Sequence, residues 1–285
     1  MTDTTARLLI NCPDAPGIVS AVSSFLFSHG ANITDLDQHA TAPSGGTYFM
    51  RLELQTAAMD SSREALEAAF EKEVASRFQM NWQLTYAIDR KRVAILVSKH
   101  DHAMMELLWR WSRGSLPCDI VAVISNHGDL REAVEGFGVP FHLVPVTAET
   151  KALAEATLEE KLVGVDLIVL ARYMQILSAE FTARWPHRII NIHHSFLPAF
   201  VGANPYQQAY DKGVKLIGAT AHYVTADLDQ GPIIEQDVER VSHRDEVVSL
   251  REMGQDVERQ VLARAVRWHL EDRVLVHGTK TIVFS

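Results

Sequence analysis

The first 86 residues alternate short apolar runs with helix-length segments in the order strand, helix, strand, strand, helix, strand. The run RLLINC (7–12) predicts a strand, and apolar residues recur at helical spacing in the segment 14–30, where Gly30 suits the end of a helix. Strands are predicted over 31–40 and 47–54, on either side of the turn signal APSGG. The order predicts a βαββαβ, ferredoxin-like domain with an antiparallel sheet and helices on one face.

From Arg92 onward, apolar strands alternate with segments long enough for helices. Continuous apolar strands of this kind predict a mostly parallel, Rossmann-like sheet covered by helices on both faces. The predicted strands are RVAILVS, DIVAVIS, FHLVPV and DLIVLA. The junction 88–92 is charged and has no flexible Gly/Ser tract. An α/β protein of two domains is predicted, residues 1–88 and 89–285.

Composition and charge restrict the partners that are expected. A formal net charge of -9 argues against a nucleic-acid surface, which needs clustered Lys and Arg. The amino terminus shows no signal-peptide pattern, and the apolar run 163–171 is too short to span a bilayer. Cys12 and Cys118 stand alone, as reduced structural thiols do. A cytoplasmic protein with no nucleic-acid and no membrane partner is therefore expected.

The stretch IINIHHSF places polar side chains where a strand of the parallel half runs into a loop. Ligands of such sheets bind at the carboxyl ends of the strands. Successive strand residues point to opposite sides, so His193 and His194 do not readily share a metal ion, and no metal site is predicted. Asn191 and His193 share one face and, with the imidazole protonated, offer two donors to an oxygen that becomes negative.

A carboxylate for this pair is offered by the loop TADLDQGP, which joins two further predicted strands. Asp227 and Asp229 both lie in the loop, and His222 precedes it by three residues. His222 has two readings, as a supporting group of the site and as an ordinary buried histidine. Considered singly, Asn191 and His193 are typical of hydrogen-bonded loop residues and Asp229 of a turn.

The three segments NIHHSFLPAFVGANPY, GATAHYVTADLDQGPII and DLIVLARYMQILS together resemble the folate-dependent formyltransferase family. The family pattern N-x-H-x-S-x-L-P, followed by the aspartate of L-D-x-G-P, is matched by Asn191, His193 and Asp229. The resemblance implies that these three are catalytic and that Arg172 is placed to reach the glutamate tail of a folate. The residues implied in folate binding are Leu170, Arg172, Met174, Ile176, Leu177, Thr225 and Leu228.

The stretch CPDAPGIVSAVSSFLFSHGANI in the first half resembles the ACT domain, a small module that often binds amino acids. The resemblance implies an amino-acid effector at Asp14, Gly17 and Asn32. The same residues are also explained by a turn and a helix cap, and both readings stay open. Because ACT modules pair sheet edges or helices between chains, a homo-oligomer is expected.

An ACT domain ahead of a formyltransferase-like domain resembles the branch of that family that hydrolyses 10-formyltetrahydrofolate to formate and tetrahydrofolate. The turn within 96–108 also lacks the glycines that would cradle the phosphate of an acceptor. Lys99, His100 and His102 in that turn either narrow the acceptor cavity or are solvated. The expected activity is hydrolysis without a cofactor, with the formate supplying purine synthesis. The alternatives are formyl transfer to an unidentified amine and a non-catalytic folate or amino-acid sensor.

Overall fold

The structure, a computed structural model, describes residues 4–59, 61–197 and 205–284. The chain divides into two compact units. One extends to Arg90 and includes the carboxyl-terminal residues from Ile282, and the other is Lys91–Thr281. The division falls within the charged junction noted in the sequence. The domain bounds 1–88 and 89–285 remain a prediction.

The first unit contains the predicted βαββαβ order. Its described strands form a four-stranded sheet in the order β2-β3-β1-β4, in which every pair is antiparallel. Side chains at alternate positions of the first strand point into the core under the helices. The elements are β1 (Thr5–Pro13), α1 (Ile18–Ser28), β2 (Asn32–Ala40), β3 (Thr47–Gln55), α2 (Arg63–Phe70), a π-helical turn (Glu71–Ala75), α3 (Ser76–Phe78) and β4 (Asn81–Tyr86).

Helix α1 buries Ile18, Val22, Phe25 and Leu26, the face that the sequence pattern predicts. The helix begins later than the predicted segment 14–30, because Pro16 and Gly17 form a turn before it, and Gly17 itself has a φ of 93°.

The second unit contains a described seven-stranded sheet in the order β11-β10-β9-β8-β5-β6-β7. Neighbouring strands from β9 to β7 are parallel, and β10 and β11 are added antiparallel. This confirms the predicted mostly parallel, Rossmann-like fold. The elements are β5 (Lys91–Val97), α4 (His102–Ser112), β6 (Cys118–Ser125), α5 (Arg131–Glu135), β7 (Phe141–Leu143), α6 (Lys151–Lys161), β8 (Leu167–Leu170), α7 (Ala179–Ala183), β9 (Ile189–His193), α8 (Pro205–Lys212), β10 (Leu216–Tyr223), β11 (Ile233–Arg240), α9 (Val247–Leu270) and β12 (Val274–His277). A last strand, β13 (Lys280–Val283), includes the division at Ile282.

The central strands of this sheet are buried on both faces, which explains their continuous apolar sequences. In β5, Ile95 belongs to a core cluster that includes residues of α9, and its neighbour Leu96 belongs to a second cluster that includes residues of α6. The strand order reverses between β5 and β8, since β6 and β7 lie on one side of β5 and β8 and β9 on the other. A crevice at the carboxyl ends of these strands is where such folds bind ligands.

The hairpin of β10 and β11 is closed by a loop whose exit requires glycine. The amide of Tyr223 donates to the carbonyl of Pro232 at 2.9 Å, which draws the two ends of the loop together. A Cβ atom at Gly231 would overlap the carbonyl oxygen of Tyr223. The close approach therefore fixes the course of the loop that precedes Gly231.

Two further features of the described residues bear on the sequence predictions. Cys12 and Cys118 are both buried, and no disulfide joins them to another described residue. Within the described ranges, every helix is too short or too polar to cross a bilayer.

Replacing Gly231 with alanine is expected to lower the free energy of unfolding by about 1–3 kcal/mol, because the added methyl group forces the loop away from Tyr223. The midpoint of urea unfolding measures the change. Gly128→Ala is the matched control, since nothing lies within 4 Å of a Cβ atom at that position. A Gly231→Ala midpoint equal to that of the control would contradict this role of Gly231.

Candidate active site

The end of β9 and the loop after β10 bring Asn191, His193 and Asp229 to one cavity of about 430 Å³. Alternation along the strand turns Asn191 and His193 to the same side, as predicted. Nδ1 of His193 lies 3.2 Å from the Asp229 carboxylate, and the imidazole is 8% exposed. The three residues that the sequence motif singles out are therefore neighbours in the structure.

Asp229 is held in an uncommon backbone conformation, with a φ of 55°. A non-glycine residue there is strained by roughly 1–2 kcal/mol, which the surrounding hairpin must offset. The hydrogen bond from His193, and next the contact with His222, hold the pKa of the Asp229 carboxyl well below its usual range. The carboxylate of Asp229 is therefore ionised at physiological pH.

The imidazole of His193 has one nitrogen turned to Asp229 and the other turned away from it. Because an ionised carboxylate can only accept, Nδ1 carries a hydrogen and donates it to Asp229. Nε2 is buried and has no hydrogen-bond partner among the described residues. In the neutral ring Nε2 is a proton acceptor. This nitrogen is the atom of the pair that a reactant can use.

His222 fixes the amide of Asn191. The two residues lie opposite each other in the pairing of β9 with β10, and His222 is 2% exposed. Nδ1 of His222 donates to the carbonyl of Tyr223 at 2.9 Å. Nε2 of His222 lies 3.2 Å from the amide nitrogen of Asn191 and 3.6 Å from the carboxylate of Asp229. His222 therefore contacts both residues and positions the side chain of Asn191 at the cavity.

The folate-binding residues implied by the sequence resemblance line this same cavity, together with neighbours that the motif did not single out. Met174 and Ile176 are 56% and 61% exposed, so that they form an open apolar wall. The predicted residues at the cavity are Leu170, Arg172, Met174, Ile176, Leu177, Thr225 and Leu228, and those that sequence reasoning missed are Tyr173, Gln175, Ile192, His194, Val224 and Ala226.

The segment that carries the wall is anchored to the end of β5. The amide of Ser98 donates to the carbonyl of Arg172 at 3.2 Å, and the amide of Met174 donates to the Ser98 hydroxyl at 3.0 Å. Arg172 has a φ of 63°, the second strained residue at this cavity. Its side chain is 10% exposed and lies 3.4 Å from the carboxylate of Glu258. The contact between Arg172 and the glutamate tail of a folate remains a prediction.

The residues predicted to bind an effector lie in the first unit. The amide of Asp14 donates to the carbonyl of Gly46 at 2.9 Å, in the turn after β1. Gly17 caps α1, and Asn32 begins β2 with its side chain exposed. Their turn and cap positions fit the structural reading, and binding of an effector stays a prediction.

No group of three or more His, Cys, Asp or Glu residues in the described part of the chain is arranged to hold a metal ion.

Family models match both halves of the chain. The formyl transferase model matches residues 91–266, and the ACT domain model matches residues 6–71. With the sheet order and the polar cavity, these matches define a protein with an ACT domain and a formyl transferase fold.

Relatives of known name narrow this class. The chain is 57% identical over 281 residues to the formyltetrahydrofolate deformylase of Bacillus subtilis (strain 168), covering 98% of this chain and 93% of the relative. The crystal structure of a formyltetrahydrofolate deformylase from Pseudomonas syringae pv. tomato has a TM-score of 0.95 and 49% identity, covering 99% of this chain and 94% of the other. The chain belongs to the formyltetrahydrofolate deformylase family.

A more distant relative shares the second unit. Glycinamide ribonucleotide transformylase 1 from Symbiobacterium toebii has a TM-score of 0.66 and 32% identity, covering 71% of this chain and 98% of that chain. Its name describes formyl transfer, whereas the names of the full-length relatives describe deformylation.

His194 is expected to make the protein less stable in mild acid. Burial, and next the charge of Arg172, lower its pKa from 6.5 to about 4, so below pH 6.5 the unfolded chain binds a proton that the folded chain does not. From about pH 7 to pH 5 this lowers the free energy of unfolding by about 2 kcal/mol. Urea unfolding at both pH values should show a smaller loss in His194→Gln. Equal losses in the variant and the wild type would show that other groups are responsible.

Proposed function

We propose that the chain hydrolyses 10-formyltetrahydrofolate to formate and tetrahydrofolate. The observation that carries the proposal is the His193–Asp229 pair, which lines a cavity with an apolar wall and leaves Nε2 of His193 without a hydrogen-bond partner among the described residues. The names of the full-length relatives support the same substrate and reaction. Water is the second reactant, so the reaction balances without a cofactor. The proposed place of action is the cytoplasm, where the formate would supply purine synthesis.

The attack on the formyl carbon follows from the arrangement of the pair. Asp229 accepts the hydrogen at Nδ1 of His193, and Nε2 takes a proton from the attacking water. The new C–O bond turns the formyl carbonyl into an oxyanion, to which the side-chain amide of Asn191 donates. His222 keeps that amide oriented. Asp229, ionised by its two histidine contacts, stabilises the imidazolium that forms.

Collapse of the tetrahedral intermediate breaks the bond between the formyl carbon and N10 of the folate. The leaving N10 takes the proton that His193 has just accepted, which returns the imidazole to its neutral form. Formic acid leaves and loses its proton to solvent. His193 therefore serves as base and then as acid, as general acid–base catalysis at one imidazole requires.

The folate is proposed to lie with its pterin ring against the open apolar wall. Leu170, Met174, Ile176 and Leu177 supply the apolar side chains, and the loop at Thr225 and Leu228 closes the opposite edge. Largely apolar linings with a few placed polar groups are typical of cofactor-sized sites. Here the polar groups lie where the formyl group must sit.

Steady formate production from 10-formyltetrahydrofolate, with no amine acceptor present, is the expected result of the decisive assay. His193→Ala and Asp229→Asn are each expected to lower kcat by about 10²–10⁴-fold, because proton transfer loses its positioned group. Folate binding, measured by fluorescence titration, should change little. Absence of formate from the wild type would favour formyl transfer to an amine, and tight folate binding without turnover under all conditions would favour a sensor.

Asp227→Asn is the matched control for Asp229→Asn. Asp227 lies in the same loop, is exposed, and is not among the residues that line the cavity. Its substitution changes the charge of the loop by the same amount, so normal turnover is expected. A loss as large as that of Asp229→Asn would show that loop charge, and not the contact with His193, is what matters.

The first unit is proposed to bind a free amino acid at Asp14, Gly17 and Asn32 and to join copies of the chain in a homo-oligomer. An effector is expected to change kcat/KM by about 5–150-fold, the usual range of coupling between sites. A panel of free amino acids added to the formate assay measures this. Asn32→Ala should remove the response, and Asp37→Asn, an exposed position on the same strand, should keep it. A response that survives Asn32→Ala would place the effector elsewhere.

A further inference from the structure

A buried ion-pair cluster lies beside the cavity, and the proposed chemistry does not use it. Its centre is the carboxylate of Glu258 on α9, which is 1% exposed. Nε2 of His102 donates to this carboxylate at 2.8 Å, and so does the hydroxyl of Tyr206, also at 2.8 Å. The guanidinium of Arg172 lies 3.4 Å away. These four residues are called the Glu258 cluster below.

The negative charge of Glu258 is offset by groups inside the protein, namely Arg172 and His102. Burial pushes the pKa of Glu258 upward, but the hydrogen bond from His102 and the charge of Arg172 outweigh it and hold that pKa below its ordinary value. Burying such a pair costs several kcal/mol per ion, and apolar residues of equal volume would often stabilise a fold as well. Fold stability alone therefore does not explain why three side chains from separate segments converge on this carboxylate.

The Glu258 cluster forms the backing of one side of the cavity. Arg172 and His194 line the cavity directly. The ring centroid of His194 lies 5.2 Å from that of His193 and 6.3 Å from that of Tyr206. His194 is thus next to the imidazole of the catalytic pair, and Arg172 is close enough for its charge to lower the pKa of His194. These two residues border the space from which a nucleophile would approach the formyl carbon.

Close packing makes this side of the cavity resistant to displacement. Nε and Nη1 of Arg172 are buried with no hydrogen-bond partner among the described residues, so that within this part of the chain the ion pair with Glu258 holds the guanidinium. Tyr206 lies flush against α9 at Gly254, where a Cβ atom would overlap the ring. An incoming ligand therefore cannot displace the side chain of Arg172 without breaking its ion pair with Glu258.

We propose that Arg172, held in place by Glu258, is a specificity-determining residue that fills the space an amine acceptor needs, so that water is the nucleophile that fits. The inference rests on the proposed hydrolysis. It is supported by the Symbiobacterium toebii relative, which shares the fold and is named a transformylase. Hydrolysis and formyl transfer then differ in whether a side chain fills the acceptor space beside the catalytic residues.

Removing the bulk of Arg172 should admit a small amine. The amine nitrogen then attacks the formyl carbon, the bond to N10 breaks, and the proton lost by the amine reaches N10 through His193. The products are an N-formyl amine and tetrahydrofolate, and no further reactant is needed.

The test supplies 10-formyltetrahydrofolate labelled with ¹³C in the formyl group, together with glycinamide, and follows formate and N-formylglycinamide by NMR. Arg172→Ala is expected to raise the ratio of N-formylglycinamide to formate by about tenfold or more over wild type. Arg172→Met is the matched control, because it leaves Glu258 equally without a guanidinium but keeps most of the volume. Its ratio should stay near that of wild type.

Two results would overturn the proposal. One is an unchanged ratio in an Arg172→Ala protein that still hydrolyses the donor, and the other is an equal rise in Arg172→Met, which would assign the exclusion to charge. If Arg172→Ala does not fold, Arg172→Val, which removes less volume, takes its place against Arg172→Met, and an unchanged ratio in an Arg172→Val protein that still hydrolyses the donor overturns the proposal equally. A wild type that makes no formate with or without glycinamide would instead refute the proposed hydrolysis.

Discussion

The hydrogen bond from Nδ1 of His193 to the ionised carboxylate of Asp229 is the interaction on which the site depends. It selects one tautomer of the imidazole, leaves Nε2 as the reactive atom, and keeps the carboxylate charged inside a cavity. The two groups come from a strand end and from a hairpin loop. They meet because the antiparallel pairing of β10 with β9 sets His222 opposite Asn191, and the loop after β10 places Asp229 beside both His193 and His222.

The antiparallel pairing also explains how the supporting contact arises. Asn191 faces His222 across the two strands, and a register shift between Ala221 and His222 turns the end of β10 toward the loop. Two strained residues complete the cavity, since Asp229 and Arg172 both have positive φ. Each conformation costs free energy that regular structure nearby must offset, and each aims a charged side chain where a relaxed turn would not.

Local patterns were sufficient for much of this structure. Apolar runs predicted the strands of both sheets, and alternation along β9 predicted that Asn191 and His193 share a face. Contacts between distant segments were out of reach. His222 had two readings because its partner depends on the register of β10 against β9. Solvation, one of the two readings of His102, is wrong, since His102 donates to the buried carboxylate of Glu258. The sequence could not indicate this contact because the two residues are 156 positions apart. Only the match to the complete formyltransferase motifs predicted that Asp229 belongs to the same site as His193.

The cavity is asymmetric in a way that bears on the choice between water and an amine. Its apolar wall comes from a segment anchored through Ser98, and its polar side rests on the buried carboxylate of Glu258. Water gains little free energy from binding, so a hydrolytic site needs no separate pocket for its nucleophile. It needs a base, and side chains that exclude larger nucleophiles. An amine acceptor, by contrast, requires room and partners of its own. Hydrolysis can therefore arise on a transferase fold by filling the acceptor side, with the catalytic pair left unchanged.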